Sequence, residues 1–283
     1  MNNLEDVKLF STLSPDDVKV YKASGVIKPH EISIYDYENE SIIPTEDWHK
    51  ADCHQLNIRK NETTAFYSGK SVFIGKVPEK ITQLTKSFEL DKSTDRNEVY
   101  DRLKNNLDDF IILDSEINRF LESSLLADSS DVTYHNLTIS NPGLRTLNFN
   151  IIGESRIYTG LHLDKSENKQ LGSCHTAKQR LCINLGETRY LYYCPISADK
   201  LKNLIEDIDE QDINLDNIIA HYYDHFRDYP ITVIEIPFGY YYIAPTDNLI
   251  HDGASINHTT FDITLHYLGH FNINPNEGIH ELH

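Results

Sequence analysis

Gly160-Leu161-His162-Leu163-Asp164 and, far later, Ile250-His251-Asp252-Gly253 are the stretches on which the reading of this chain turns. On an extended strand successive side chains alternate between faces, so His162 and Asp164 point the same way and can grip one cation together. His251 is placed to supply a second imidazole. Two histidines and one carboxylate on one side of a metal leave the opposite coordination positions open.

A lone His-x-Asp is a weak signal, and its surroundings give it weight. After Asp164 come strand-like runs at 180–186, 189–196, 231–237, 239–244 and 261–268, with Gly and Pro between them. Short strands punctuated in this way predict a mainly β fold with a jelly-roll or cupin-like sheet pair. Within the first run Arg180, Cys182 and Asn184 share one face and Leu181, Ile183 and Leu185 the other, so the apolar face is expected under helices and the polar one inside the barrel. Arg189, Leu191 and Tyr193 likewise share a face. An arginine turned inward needs a buried ion pair or an anionic ligand.

The rest of the chain supplies the setting. Ser14-Pro15-Asp16-Asp17 reads as a helix start. Ala65-Phe66-Tyr67 and Ser71-Val72-Phe73-Ile74-Gly75 read as strands. Over 86–126, Leu103, Leu107, Phe110, Ile111, Ile117, Phe120 and Leu125 recur at three- and four-residue steps, which predicts helices laid on the outside of the larger sheet. Val132-Thr133-Tyr134 and the run 144–149, joined by the turn Asn141-Pro142-Gly143, lead into the site. The resulting division is 1–130 as N-terminal strands and supporting helices, and 131–272 as the core, in one compact domain.

Residues 197–228 interrupt the strands with one or two inserted helices, read as a lid, a dimer surface or padding. Inside them His221 and His225 lie one helical turn apart, but the glutamate of H-E-x-x-H is missing, so a solvated helix end is the better reading. The tail after Gly269 reads as loosely docked, and its His280 and His283 are given no role.

Composition narrows the function classes. The formal charge of −18 repels phosphate backbones and anionic lipid, which argues against nucleic acid and membranes and suits a small cationic or zwitterionic partner. Cys53, Cys174, Cys182 and Cys194 form no C-x-x-C pair and read as free, mostly buried thiols. With no apolar stretch long enough to span a bilayer and no secretion-type leader, the expected location is cytoplasmic.

Taken together, His162-x-Asp164, the distant His251 and the short strands between them resemble the iron(II)/2-oxoglutarate-dependent oxygenases over roughly residues 130–270. The resemblance implies a double-stranded β-helix, iron(II) held by His162, Asp164 and His251 as the catalytic set, and 2-oxoglutarate chelating the metal. It also implies that O2 is consumed as the cosubstrate is decarboxylated to succinate and a substrate C–H is oxidised, usually to an alcohol. The carboxylate of Asp164 argues against a halogenase.

One position departs from the family. Many members carry an arginine about ten residues after the distal histidine and a serine or threonine two beyond, and that spacing falls here on Asp262 and Thr264. A carboxylate there repels the cosubstrate's own. Jumonji-type and asparaginyl hydroxylases instead use a basic residue on the strand two after His-x-Asp, which Arg189 matches. Arg180 is the runner-up, and one of the two arginines can pair with Asp262. The expected cosubstrate contacts are therefore Arg189, Arg180 and Thr264, with Asp262 and Asn184 as substrate contacts for an amine-bearing metabolite or amino acid. Rival readings are a Jumonji-like peptide or protein hydroxylase, a metal-dependent cupin dioxygenase or isomerase without 2-oxoglutarate, and a non-catalytic jelly-roll binding protein. A homodimer is compatible with all of these.

Overall fold

The structure is a computed structural model that describes residues 4–31, 35–51, 68–123, 125–126, 128–167, 169–205, 212–274 and 280–282. The strand expected at Ala65-Phe66-Tyr67 and the thiol of Cys53 lie outside the described residues.

The N-terminal part contributes β1 (Lys8–Ser11), β2 (Val20–Ala23), β3 (Val26–Ile27), β4 (Ile43–Pro44), β5 (His49–Lys50) and β6 (Ser71–Lys76). Three helices follow, α1 (Glu79–Ser87), α2 (Arg96–Asn105) and α3 (Leu107–Leu121). Then come β7 (Ser130–Ser140), β8 (Phe149–Ile152), β9 (Ser155–Tyr158), β10 (Gln179–Asn184) and β11 (Arg189–Tyr193). Two helices, α4 (Ala198–Lys202) and α5 (Ile218–Phe226), precede β12 (Ile231–Ile236), β13 (Tyr240–Ala244), β14 (His251–Ala254), β15 (Asp262–His270) and β16 (His280–Leu282).

Among the described residues a large sheet runs β16-β1-β6-β13-β10-β15-β7 and a smaller one β14-β11-β12-β2-β5. From β7 onward the chain passes back and forth between them: β7 large, the 159–164 segment bridged to β14 of the small, β10 large, β11 and β12 small, β13 large, β14 small, β15 large. That winding is a double-stranded β-helix, the jelly-roll core expected from the strand spacing. The N-terminal strands are hydrogen-bonded into it, β1 and β6 beside β13 and β2 and β5 beside β12.

Alternation along the strands divides the apolar residues into three layers. Between the sheets lie Val72, Ile74, Cys182, Leu191, Ile234 and Tyr242. On the outer face of the large sheet Phe73, Leu181, Ile183, Tyr241, Ile263 and Leu265 pack under Val99, Leu113, Ile117 and Phe120 of α2 and α3. On the outer face of the small sheet Tyr192, Cys194, Val233 and Ile250 meet Leu201 of α4 and Ile218 and Tyr222 of α5. Each such fully buried aliphatic or aromatic side chain contributes about 1.5–3 kcal/mol, so both helical groups act as covers that make two-sided burial of the sheets favourable.

The helix ends follow local chemistry. Asp95 caps α2 by accepting from the Glu98 amide, while the Glu98 carboxylate reaches back to the Thr94 amide, a near relative of the capping box. Most of the apolar stripe expected to be buried is not: Ile117 and Phe120 are buried, Leu103 and Leu125 half-buried, and Leu107 and Ile111 each 57% exposed, because α3 has apolar residues on more than one side and turns Leu113 inward instead. The tail also differs from expectation: instead of docking loosely, it ends in β16, which pairs antiparallel with β1 at Leu9–Leu282 and Ser11–His280. The backbone edge left open by β1 supplies the hydrogen-bond partners. No described helix is long and apolar enough to cross a membrane.

Candidate metal centre

His162 sits on an extended segment rather than in a regular strand. Its amide donates to the His251 carbonyl at 3.0 Å and its carbonyl accepts from the His251 amide at 2.9 Å, a reciprocal bridge that sets the two imidazoles side by side. Their ring centroids are 4.8 Å apart. The segment is pinned on both sides, by Leu161 to the Ile42 carbonyl and by Asp164 to the Thr246 carbonyl. Gly160 is required for this entry: its φ of +67° is left-handed, and a Cβ there would lie 2.5 Å from the Ile42 carbonyl oxygen.

Ligand atoms of His162, Asp164 and His251 all lie within 4.8 Å of one another. Asp164 Oδ1 is 3.5 Å from His162 Nε2, and its Oδ2 is 4.0 Å from His251 Nε2. Both histidines have Nδ1 against a backbone carbonyl, Gly160 at 2.9 Å and Leu249 at 2.8 Å. A carbonyl only accepts, so each Nδ1 carries the proton and each Nε2 is left with its lone pair toward the centre. That donor set fits a divalent metal held on one face.

Electrostatics keep His251 and Asp164 in metal-ready form. Burial, with His162 nearby, pushes His251 down to about 4, so its ring is neutral at pH 7. Burial also works against a charged His162, but the contact with Asp164 and the charge of Asp252 outweigh it and hold its pKa above the ordinary value. Asp164 is held well below the usual carboxylate range, since the contact with His162, the facing His251 ring and the Arg180 guanidinium overcome its burial. Asp252 is pushed up to about 6 by burial. Its Oδ1 accepts from the amides of Leu147, Asn148 and Gly253, and its Oδ2 lies 3.9 Å from His162 Nδ1.

A cavity of about 280 Å³ opens beside these groups, bordered by the triad, Arg180, Arg189, Tyr242, His266 and the β7 residues Asn136, Thr138 and Ser140. Arg180 Nη2 is 2.6 Å from Asp164 Oδ2, which ties that oxygen back. Arg189 Nη1 is 3.2 Å from Asp262 Oδ2 and donates to Thr264 Oγ1. His266 is neutral, its pKa driven well down by burial and by Arg180 and Arg189; its ring nitrogens face Thr138 Oγ1 at 2.9 Å and Cys182 Sγ at 3.2 Å.

The structure thus brings His162, Asp164, His251, Arg180 and Arg189 to one cavity. Thr264 is fully buried and touches it through Arg189. Two expected substrate contacts are placed otherwise. Asp262 is fully buried and spent on Arg189, and Asn184 closes a turn by donating to the Glu187 and Ile236 carbonyls and accepting from the Gly186 amide. Both lie behind the residues that border the cavity. Sequence reasoning passed over Tyr242 and Asp252. The alternation that turns Tyr241 outward turns Tyr242 in, and that signal was available.

The helices of 197–228 cover the outer face of the small sheet, and their described residues stay away from the cavity. His221 and His225 are on the surface side of α5, with His225 Nδ1 turned to the His221 carbonyl. The three described cysteines, Cys174, Cys182 and Cys194, are free and buried.

No family model matches the sequence, and no curated protein matches it. Among solved structures, the chain is similar to the Kdo hydroxylase KdoO, a non-haem Fe(II) alpha-ketoglutarate-dependent dioxygenase. Its apo form shows 12% identity and a TM-score of 0.37, over 86% of this chain and 89% of that one. Its complex with succinate and Fe(III) shows 13% identity and a TM-score of 0.38 over the same shares.

Proposed function

We propose that this chain is a non-haem iron(II)- and 2-oxoglutarate-dependent oxygenase that hydroxylates a C–H bond of a small-molecule substrate. One observation carries the reading: three ligand atoms from His162, Asp164 and His251 converge within 4.8 Å, with both histidine Nδ1 groups engaged behind them, on a cavity that also holds two arginines. His162, Asp164 and His251 would hold the iron, which when bound supplies oxygen activation at the expense of 2-oxoglutarate. Arg189 is the preferred anchor for the cosubstrate's far carboxylate, because a guanidinium keeps its charge when buried and can donate two parallel hydrogen bonds. Asp262 and Thr264 hold it from behind and so fix its direction. Arg180 steers the Asp164 carboxylate rather than the cosubstrate.

With Asp262 engaged, the support for a cationic or zwitterionic substrate comes from the overall charge of −18, which disfavours polyanions near the cavity. Free buried thiols agree with a cytoplasmic setting. A metal-dependent cupin dioxygenase or isomerase without 2-oxoglutarate is the second reading, favoured by the fact that each arginine already faces a carboxylate, Asp164 or Asp262.

Anaerobic titration of the iron(II)-loaded protein with 2-oxoglutarate separates the two. The expected result is a weak visible charge-transfer band that is absent in His162→Ala and weakened in Arg189→Ala, with succinate formed once air is admitted. Iron binding without the band at saturating 2-oxoglutarate would leave the cupin reading in its place.

A further inference from the structure

We propose that an apolar groove beneath α2 and α3 receives the alkyl or aryl tail of the substrate whose polar end is oxidised at the metal; this rests on the oxygenase reading above. The groove, of about 460 Å³, is bordered by Phe88, Leu103, Leu107, Phe110, Leu137 and Leu265 among others. It lies on the helix side of the large sheet, whereas the metal cavity lies on the barrel side.

Two residues border both spaces, His135 and Asn136 on β7. β7 is the last described strand of the sheet, so the wall between the two spaces ends there. The ladder to β15 also slips at this point: Asn136 faces His266 but Tyr134 faces Tyr267, which leaves His135 as the extra residue of a bulge. Bulges re-aim side chains, and here the bulged edge strand has a polar, metal-facing chamber on one side and an apolar one on the other. A ligand bent around the β7 edge would place a head among Asn136, Thr138 and the triad and a tail against Leu137 and α3.

The exposed apolar side chains tell the same story. Leu107 is 57% exposed and Phe110 36%, on a helix whose other face is fully committed to the core. Tyr134, at 59%, stands at the same edge. Apolar surface left open beside a reaction chamber is the chemistry that recognises an amphiphile. The border that the groove shares with the metal cavity at His135 and Asn136 favours a substrate tail over a second copy of the chain, which would need only the outer surface.

The test uses the full-length iron(II)–2-oxoglutarate protein, anaerobically, with the neutral fluorophore N-phenyl-1-naphthylamine displaced by 1-hexanol, 1-octanol and 1-decanol. Displacement is expected to strengthen about fourfold for each added methylene. Leu107→Glu, at an exposed site, and Leu137→Trp, which fills the groove, are each expected to weaken 1-decanol at least tenfold while leaving the charge-transfer band intact. Bound 1-decanol is expected to shift that band. No chain-length dependence, or full affinity in both variants, overturns the proposal. So does normal binding with an unmoved band, or a wild-type dimer that Leu107→Glu converts to monomer. A protein that binds the alkanols but never forms the band would sink the oxygenase reading instead, so the two failures are distinct.

Discussion

Arg189 on β11 reaches Asp262 at the start of β15, Nη1 to Oδ2 3.2 Å, and the two side chains are 5% and 1% exposed. Burial works against the guanidinium's charge, but Asp262 outweighs it and raises its pKa. The carboxylate at position 262 is therefore what allows an arginine from a different strand to sit, charged, inside the barrel. Removing that carboxylate leaves a buried charge without compensation, at a cost of about 3–5 kcal/mol.

Asp262→Asn is accordingly expected to lower stability by that amount in urea unfolding. Its Arg189 has one anionic partner fewer, so 2-oxoglutarate should bind more tightly than to the wild type and restore part of the lost stability. Weaker 2-oxoglutarate binding in Asp262→Asn would separate Arg189 from the cosubstrate.

Gly253 on β14 lies directly behind the same guanidinium. A Cβ there would overlap Arg189 Nη2 and come within 2.9 Å of Leu147 Cδ1. Gly253→Ala is expected to push Arg189 off its line and weaken 2-oxoglutarate by roughly tenfold or more, equivalent to about 1.4 kcal/mol, while metal affinity is retained. Calorimetric titration of each ligand in turn measures the split. Equal losses for metal and cosubstrate would mean that the β14 backbone itself had moved.

These two residues show where sequence reading stopped. The triad was legible because His-x-Asp and a distant histidine carry their chemistry in residue type, and the two faces of β10 were legible because alternation has a period of two. The partner of Arg189 was only one of several options, since strand spacing does not reveal cross-barrel register. The segment at His162 looked like a strand, but a single bridge to His251 and glycine-dependent docking on Ile42 hold it, and these contacts join distant parts of the chain. Strands of two to four residues such as β2, β5 and β16 have too few positions to show a period at all.

Metal binding should depend on pH through His162. Protons and metal compete for the same ring nitrogens. His251 stays neutral until about pH 4, Asp164 is ionised well below that of an ordinary carboxylate, and His162 takes up its proton first because its pKa is raised. Apparent cobalt(II) affinity is therefore expected to fall about tenfold per pH unit below the raised His162 value, and more steeply below about 4. Asp252→Asn removes one of the charges that raise His162, so the fall should begin at lower pH. An unchanged profile in that variant would deny Asp252 its hold on the histidine.

The exposed and buried faces of α3 give the last prediction. Periodicity alone placed Leu107 and Ile117 on one stripe, yet Leu107 is 57% exposed while Leu113 and Ile117 are each 2% exposed. Leu113 packs in the cluster with Phe120, Tyr241 and Leu265, where truncation leaves a cavity that the strands beneath cannot close. Leu113→Ala is expected to cost about 2–5 kcal/mol. Leu107→Ala removes contacts mostly made with solvent and is expected to stay within about 0.5 kcal/mol. Urea midpoints of the two variants measure the difference. Comparable losses at both positions would mean that the open side of α3 is covered in solution by a part of this chain or by another copy of it.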